Sequence, residues 1–411
     1  MLTNISIEKA REILLNEVLK PKVIDMPILE SLDHILAEDI KSDMDMPPFD
    51  RTPLDGYALR SEDTVNADAE NPVTLETIDN IQAGYVCKKA IGKGQAVRIM
   101  TGAEIPKGAD AIIKYEDTVF TDKDVKIFSY IKPDSNIVRA GEDIAIGDII
   151  LKQGKTISPA DIGILATLGK GRVKVYGRPR VAILSTGDEL VNIDEPLREG
   201  KIRNSNSYTV GAQVKKLGSE IKLFGICGDD IQAIKKGLNS ALEWGDIVIT
   251  TGGVSVGDAD VVKEAFEAVG GKILFWGVRM KPGSPIAVAK YGDKLLFGLS
   301  GNPAAAYITF EKFVRPTILK LGGETKYDFT KVKSTLESEY TKVSGKNRIV
   351  RAKTYYKNGG FFTKLPDKHS SGILSSLSET NSLFYIPPGT GPYRIGDSIE
   401  VELLDCLEVS E

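Results

Sequence analysis

Histidine and cysteine are scarce in this sequence, and each scarcity removes a class of chemistry. Two histidines among 411 residues, His34 and His369, are too few and too distant for a histidine-based metal centre. Three cysteines, Cys87, Cys227 and Cys406, lie far apart with no C-x-x-C spacing. That pattern argues against a disulfide framework or a structural zinc site, and it fits a reducing compartment. There is no basic surplus: 53 Lys plus Arg face 57 Asp plus Glu, a formal charge of -4. A nucleic-acid binder would show a basic run or excess, so no nucleic-acid partner is expected. Long apolar runs are missing too, since none approaches the roughly 18 residues of a membrane span. The opening MLTNISIEKAREILLNEV is no signal peptide: apolar Ile7, Ala10, Ile13, Leu14 and Val18 recur at helical spacing with charges between them. A soluble, cytoplasmic protein without membrane association is expected.

Apolar residues at 42% and charged residues at 27% supply packed cores and exclude global disorder. At about 150 residues per domain the length predicts two to four domains. The pattern is helical over 1–40. Between 45 and 138 short β-like runs (VTLETI, QAVRIM, DAIIKY, DVKIFSYI) alternate with turn residues, which predicts a β-rich module. Helical character returns where Ser158 offers an N-cap, Pro159 a first-turn residue and Asp161 a charge suited to the positive helix end. The β-rich block therefore reads as an insertion between helical pieces. From Arg180 strand and helix alternate for about 145 residues, as in a mostly parallel sheet covered on both faces. After Gly322-Gly323 the text is β-like to the end, a small barrel or sandwich. The expected division is a discontinuous helical/mixed domain over 1–44 and 139–177, an inserted β-rich domain over 45–138, an α/β domain over 178–325 and a C-terminal β-barrel over 326–411.

Ligands of open α/β sheets bind beyond the carboxyl ends of the strands. Four such ends carry Thr186-Gly187-Asp188-Glu189, Gly228-Asp229-Asp230, the run from Thr251 to Asp260 (TTGGVSVGDAD with Thr250) and Ser300-Gly301-Asn302-Pro303. Taken singly, each is ordinary turn or helix-cap text. Together they combine glycine-rich loops, which let backbone N–H groups approach an anion, with carboxylates that would repel it. A hard divalent cation between them resolves the conflict, so a Mg2+-dependent site for a phosphorylated ligand is predicted. The loop is neither a Walker A sequence nor a dinucleotide turn. Lys281, before Pro282-Gly283, projects a charge from a fixed base. In the β-rich block, 47–58 and 101–110 are too polar for strands, and Asp55-Gly56 alone reads as a hairpin turn.

In chain order, PPFDRTPLDGYALR, TGAEIPKGADAIIKYED, RAGEDI, RVAILSTGDELV, GDD, TTGGVSVGDAD, MKPGSP, GLSGNPAAA and HSSGILSSL closely resemble the MoeA family of molybdopterin molybdenumtransferases, which includes the C-terminal part of gephyrin. The resemblance spans about residues 8 to 405. It implies an elongated homodimer whose cleft lies between the α/β domain of one subunit and the inserted domain of the other. It also implies insertion of molybdate into adenylylated molybdopterin, with Mg2+-assisted release of AMP, the substrate coming from a molybdopterin adenylyltransferase partner. A tungstate-using insertase, a molybdopterin-binding scaffold without turnover, or adenylyl transfer itself are the alternatives. By motif position, Asp188, Glu189 and Asp229 would be metal ligands. Asp55, Thr101, Glu189, Asp229, Asp260 and Lys281 would serve the reaction. Gly252, Gly253, Ser255, Asp258, Arg139, Ser371, Asn302 and Pro303 would hold the ligand, with Arg139 and Ser371 also suited to an oxyanion. The chain departs from the family at Gly277, where some members have Lys, and at Ser284, where many have a second Lys. Ser300 replaces Pro in GLPGNP, and Gly228 stands where Arg or Pro is frequent.

Overall fold

A computed structural model describes residues 2–254, 261–343, 345–366, 370, 372–405 and 408–409. The chain forms two compact units, one of residues 1–26, 33–37 and 174–411 and the other of residues 27–32 and 38–173. The second unit is thus inserted into the first.

In the larger unit a seven-stranded sheet runs in the order Leu2–Ile5, Lys272–Val278, Ile286–Tyr291, Lys294–Leu299, Ile247–Thr251, Arg180–Thr186, Glu220–Cys227. Only Ile286–Tyr291 runs against the rest. Strand periodicity divides its side chains cleanly between two cores. Val181, Ile183, Ile247 and Ile249 pack under the helices Ile7–Glu17, Asn206–Lys216 and Pro303–Thr309. Ala182, Leu184 and Val248 pack under Ile231–Trp244 and Val261–Ala268. Each fully buried Ile or Leu here contributes roughly 1.5–3 kcal/mol of transfer free energy. Continuous apolar strands follow from burial on both faces.

The C-terminal segment closes into a β-barrel. Asn347–Lys357 pairs with both Gly360–Lys364 and Ser382–Ile386, and the ring is completed by Lys331–Leu336 and Ser398–Leu403. Closure leaves no open edge, and Leu336, Val350, Phe384 and Val401 fill the interior. The smaller unit contains a six-stranded sheet in the order Ala111–Lys114, Gly56–Leu59, Gln95–Ile99, Val73–Ile81, Asp124–Ile127, Thr118–Phe120. Its helix Pro159–Thr167 opens with the expected cap: Ser158 N–H donates to Asp161 at 2.9 Å, and Asp161 N–H donates to the Ser158 hydroxyl at 3.4 Å.

Four details differ from the sequence reading. The helical pattern over 1–40 yields a helix only to Glu17; Pro21 and Pro27 break it, and Val23–Pro27 is a strand. Ile286–Tyr291 is an additional, antiparallel strand, which the βα rhythm did not announce. The last helix is interrupted by a π-helical segment at Phe310–Val314. Pro316 has no N–H and its ring would crowd the Lys312 carbonyl, and a wider turn relieves both. Finally, Asp55-Gly56 is no hairpin turn. Gly56 begins a strand with neighbours on both sides, and a Cβ there would collide with the Ile113 carbonyl oxygen.

Candidate active site

The parallel strands end in register: Thr186 stands opposite Cys227, Ser185 opposite Thr251, and Thr251 opposite Leu299. The loops carrying Asp188, Asp229, Gly252 and Asn302 therefore emerge along one edge of the sheet. Asp188 and Asp229 bind each other's backbone, with Asp229 N–H donating to the Asp188 carboxylate at 3.2 Å and Asp188 N–H to the Asp229 carboxylate at 3.4 Å. Two exposed carboxylates are thereby held side by side, while Lys201 donates to the Asp188 carbonyl. Asp230 is spent on capping, accepting from Ala233 N–H at 2.8 Å.

The glycines at 252 and 253 have an immediate structural reason. Both lie at positive φ, 98° and 64°, and a Cβ on either would strike Thr186. They let two strand-end loops meet. The Gly252 N–H already donates to the Leu299 carbonyl at 3.0 Å, so it is not a free anion donor. Below the loops lies a buried hydroxyl network in which Ser185 contacts Ser207 at 2.6 Å, Thr251 at 2.8 Å and Asn204 at 3.1 Å. The Thr186 hydroxyl is buried and finds no partner among the described residues, which leaves a polar atom facing the glycine loop.

Beside the Ser300–Pro303 loop opens a cavity of about 760 Å³, lined by Lys281, Ser284, Ser300 and Asn302 on one side and by barrel residues on the other. Its cationic wall is Lys281, Lys342, Lys346, Arg348 and Arg351, and among the described residues none that lines it is a carboxylate. Met280–Lys281 pairs with the barrel strand in parallel, setting Lys281 opposite Arg348. Gly283 fits only without a side chain, because a Cβ would press on Thr309 and Met280. Arg348 donates to the Tyr340 hydroxyl at 3.2 Å. Sequence reasoning missed the arginines; two cations three residues apart in the apolar strand run NRIVRAK were the available signal.

The sequence-predicted residues fall into four groups. Asp188, Glu189, Asp229, Gly252, Gly253, Asn302 and Pro303 share the strand-end edge, and Lys281 faces the adjoining cavity. Asp55 and Thr101 meet in the smaller unit, where Thr101 donates to the Asp55 carboxylate through its N–H at 2.8 Å and its hydroxyl at 2.7 Å. Those bonds, the backbone one first, hold the Asp55 carboxyl below the usual range. Arg139, in the same unit, is paired with both Asp50 and Asp134, so its guanidinium is committed to carboxylates. Ser255, Asp258, Asp260 and Ser371 lie outside the described residues.

The chain matches the family description "MoeA N-terminal region (domain I and II)" over residues 5–169, "Probable molybdopterin binding domain" over 182–320 and "MoeA C-terminal region (domain IV)" over 333–404. It is 39% identical over 409 residues to a Staphylococcus epidermidis protein named molybdopterin molybdenumtransferase, covering 100% of this chain and 98% of that one. The chain belongs to the MoeA family. A Staphylococcus aureus member of the same name is 38% identical, covering 99% of this chain and 97% of that one. Among solved structures, a molybdopterin biosynthesis MoeA protein from Pyrococcus horikoshii superposes with a TM-score of 0.86 at 31% identity, covering 98% of this chain and all of that one. A MoeA fold thus combines the α/β molybdopterin-binding domain with the closed C-terminal barrel.

Proposed function

We propose that this protein is a molybdopterin molybdenumtransferase that inserts molybdate into adenylylated molybdopterin and releases AMP. The carrying observation is the cavity lined by five cationic side chains and, among the described residues, by no carboxylate, adjoining the strand ends where Asp188 and Asp229 meet. A tetrahedral dianion suits the first, and a phosphate with its counter-cation suits the second.

The residues fit Mg2+ in a restricted sense. Among the described residues no group of three or more acidic, histidine or cysteine side chains gathers, but Mg2+ commonly binds through one or two carboxylates plus substrate phosphates and water. Asp188 and Asp229 would hold it, with Glu189 adjacent. When bound it would neutralise charge on the phosphoanhydride. The protein's own groups orient the ligand. Lys281 and Arg348 hold the oxyanion by charge-assisted bonds, Asn302 and Pro303 form the shared wall, and the Thr186 hydroxyl offers a donor beneath Gly252 and Gly253. Ser255, Asp258, Asp260 and Ser371, outside the described residues, enter the proposal by family motif position alone. Asp55 and Thr101 complete the site from a second copy of the chain, and Arg139 braces the loop near them.

The reading includes a cytoplasmic homodimer divided into domains at 1–44 with 139–177, 45–138, 178–325 and 326–411, supplied by a molybdopterin adenylyltransferase. Among the described residues no helix is long and apolar enough to cross a membrane. Because the cavity offers charge and hydrogen bonds rather than a redox-selective ligand, tungstate is a second substrate to test. AMP release from adenylylated molybdopterin, titrated with molybdate and tungstate in parallel, is the test. Absence of oxyanion-dependent AMP release would refute the reading.

A further inference from the structure

In the smaller unit, Arg98 is a cation without a carboxylate partner among the described residues. It lies on Gln95–Ile99, opposite Tyr57 of Gly56–Leu59. Its guanidinium carbon sits 4.9 Å from the centre of the Tyr115 ring and 5.5 Å from that of Phe120, and those two rings are 4.6 Å apart. Cation–π contacts hold the guanidinium without spending its hydrogen bonds. Nε is buried and finds no partner among the described residues, and the two Nη groups, which are not buried, donate to none of them. Glu116 and Asp117 follow Tyr115 directly, yet neither forms an ion pair with Arg98. The rings bring this charge close to Asp55. Tyr115 N–H donates to the Asp55 carbonyl at 3.1 Å, and strand alternation puts Asp55, Tyr57 and Arg98 on one face of the sheet. Both Thr101 donors reach the same Asp55 oxygen, Oδ1, so Oδ2 is left without a donor among the described residues.

We propose that this face of the smaller unit is a nucleotide ledge. The Arg98 Nη groups take the phosphate of an adenylate, Asp55 Oδ2 accepts a ribose hydroxyl, and the Phe120 ring, which keeps 37% of its surface, stacks on the base. The inference rests on the proposed function, which places Asp55 and Thr101 in the reaction, and deepens it by assigning the adenylate half of the substrate to these residues. Each group suits one part of a nucleotide and no other. A guanidinium fork matches the oxygens of a phosphate, whereas an ionised carboxylate repels phosphate and accepts from sugar hydroxyls. Thr101 holds the Asp55 carboxyl below the ordinary range, so it stays ionised and acts only as an acceptor. An exposed aromatic ring stacks on any base. An inorganic anion would use Arg98 alone, and a nucleoside only the other two.

The test is calorimetric titration of the full chain with AMP and, separately, adenosine in EDTA, because without Mg2+ the Asp188 and Asp229 carboxylates repel phosphate and do not compete. Wild type is expected to bind AMP more tightly than adenosine. Arg98→Met should weaken AMP at least about tenfold and leave adenosine unchanged. Arg98→Lys, a point charge without the fork, should fall between the two. Phe120→Ala should weaken AMP and adenosine alike, by roughly fivefold or more. Should Arg98→Met fail to fold, Arg98→Lys carries the comparison, and wild-type AMP affinity in that variant would overturn the proposal. Unchanged AMP affinity in a folded Arg98→Met, or an equal loss for AMP and adenosine, would make Arg98 a brace for the aromatic rings only. Wild type that binds AMP solely when Mg2+ is added, with Arg98→Met its equal, would move the adenylate to the strand ends and overturn the ledge. AMP release from adenylylated molybdopterin is read separately, so the ledge can fail while the proposed function stands.

Discussion

Two neighbouring regions of the larger unit solve opposite electrostatic problems by different means. At the strand ends, Asp188 and Asp229 stand exposed and together, each anchored by the other's backbone N–H. In the cavity beyond the Ser300–Pro303 loop, cations gather with no carboxylate among the described lining residues, and one of them is buried. The acidic pair is assembled by short loops leaving in-register strands, so its geometry is set by the sheet. The basic cavity is assembled from segments some seventy positions apart, Lys281 before the last helices and Arg348 and Arg351 after them. Like charges spread over an open surface tolerate one another; like charges gathered around one cavity call for a counter-charge. On the proposed reading the first region holds a cation, and the second an anion.

The comparison breaks most sharply at Gly252. Gly252→Ala should cost about 3 kcal/mol or more of stability, since it combines positive φ with a collision against the Thr186 carbonyl. Gly301→Ala, where φ is ordinary and the new Cβ meets only Gly252 Cα at 3.7 Å, should be nearly silent. Chemical denaturation of both variants checks the contrast. Asp229→Ala should lower Mg2+-dependent AMP release by roughly a hundredfold while leaving the melting temperature unchanged, because the group is an exposed oxygen donor. Full turnover in that variant would remove Asp229 from the metal site. Lys281→Ala should weaken molybdate binding by roughly tenfold without loss of stability, as expected for an exposed charge-assisted donor. Normal binding with a large loss of melting temperature would make the lysine structural.

The smallest effect concerns a third carboxylate, held chiefly by the neutral donors of Thr101, with the Arg98 charge a lesser influence. Thr101→Ala keeps the backbone N–H but removes the hydroxyl, so the Asp55 carboxyl should titrate higher than in wild type, though still below an ordinary aspartate. Its depressed pKa gives stability that is present above the unfolded value, near 3.9, and lost as pH falls through the folded value. The variant's acid limb should therefore be flatter. Carboxyl NMR titration of both proteins measures the shift, and an unchanged Asp55 would show that the backbone N–H acts alone.

Much of the α/β region was legible because burial on both faces writes unbroken apolar strands, and helix caps such as Ser158 leave local marks. Ile286–Tyr291 was not legible, because IAVAKY is as apolar as its parallel neighbours and direction leaves no trace in composition. The glycine loop illustrates a subtler limit. Its sequence announced close approach, and at Gly252 the protein itself supplies one partner of that approach, Thr186. Arg139 looked like an anion donor from its charge, whereas Asp50 and Asp134 occupy it. Arg348 and Arg351 drew no notice, although each keeps a buried nitrogen with no partner among the described residues.

What the sequence determined by itself was the inventory: an acidic set at strand ends, glycines where backbones must meet, and too few histidines and cysteines to own a soft metal. Those follow from local chemistry and periodicity, which act between residues a few positions apart. Only the tertiary structure decided which charges are spent and which are free. Pairing and burial depend on contacts between distant segments, and the free energy of a charge is set by what surrounds it.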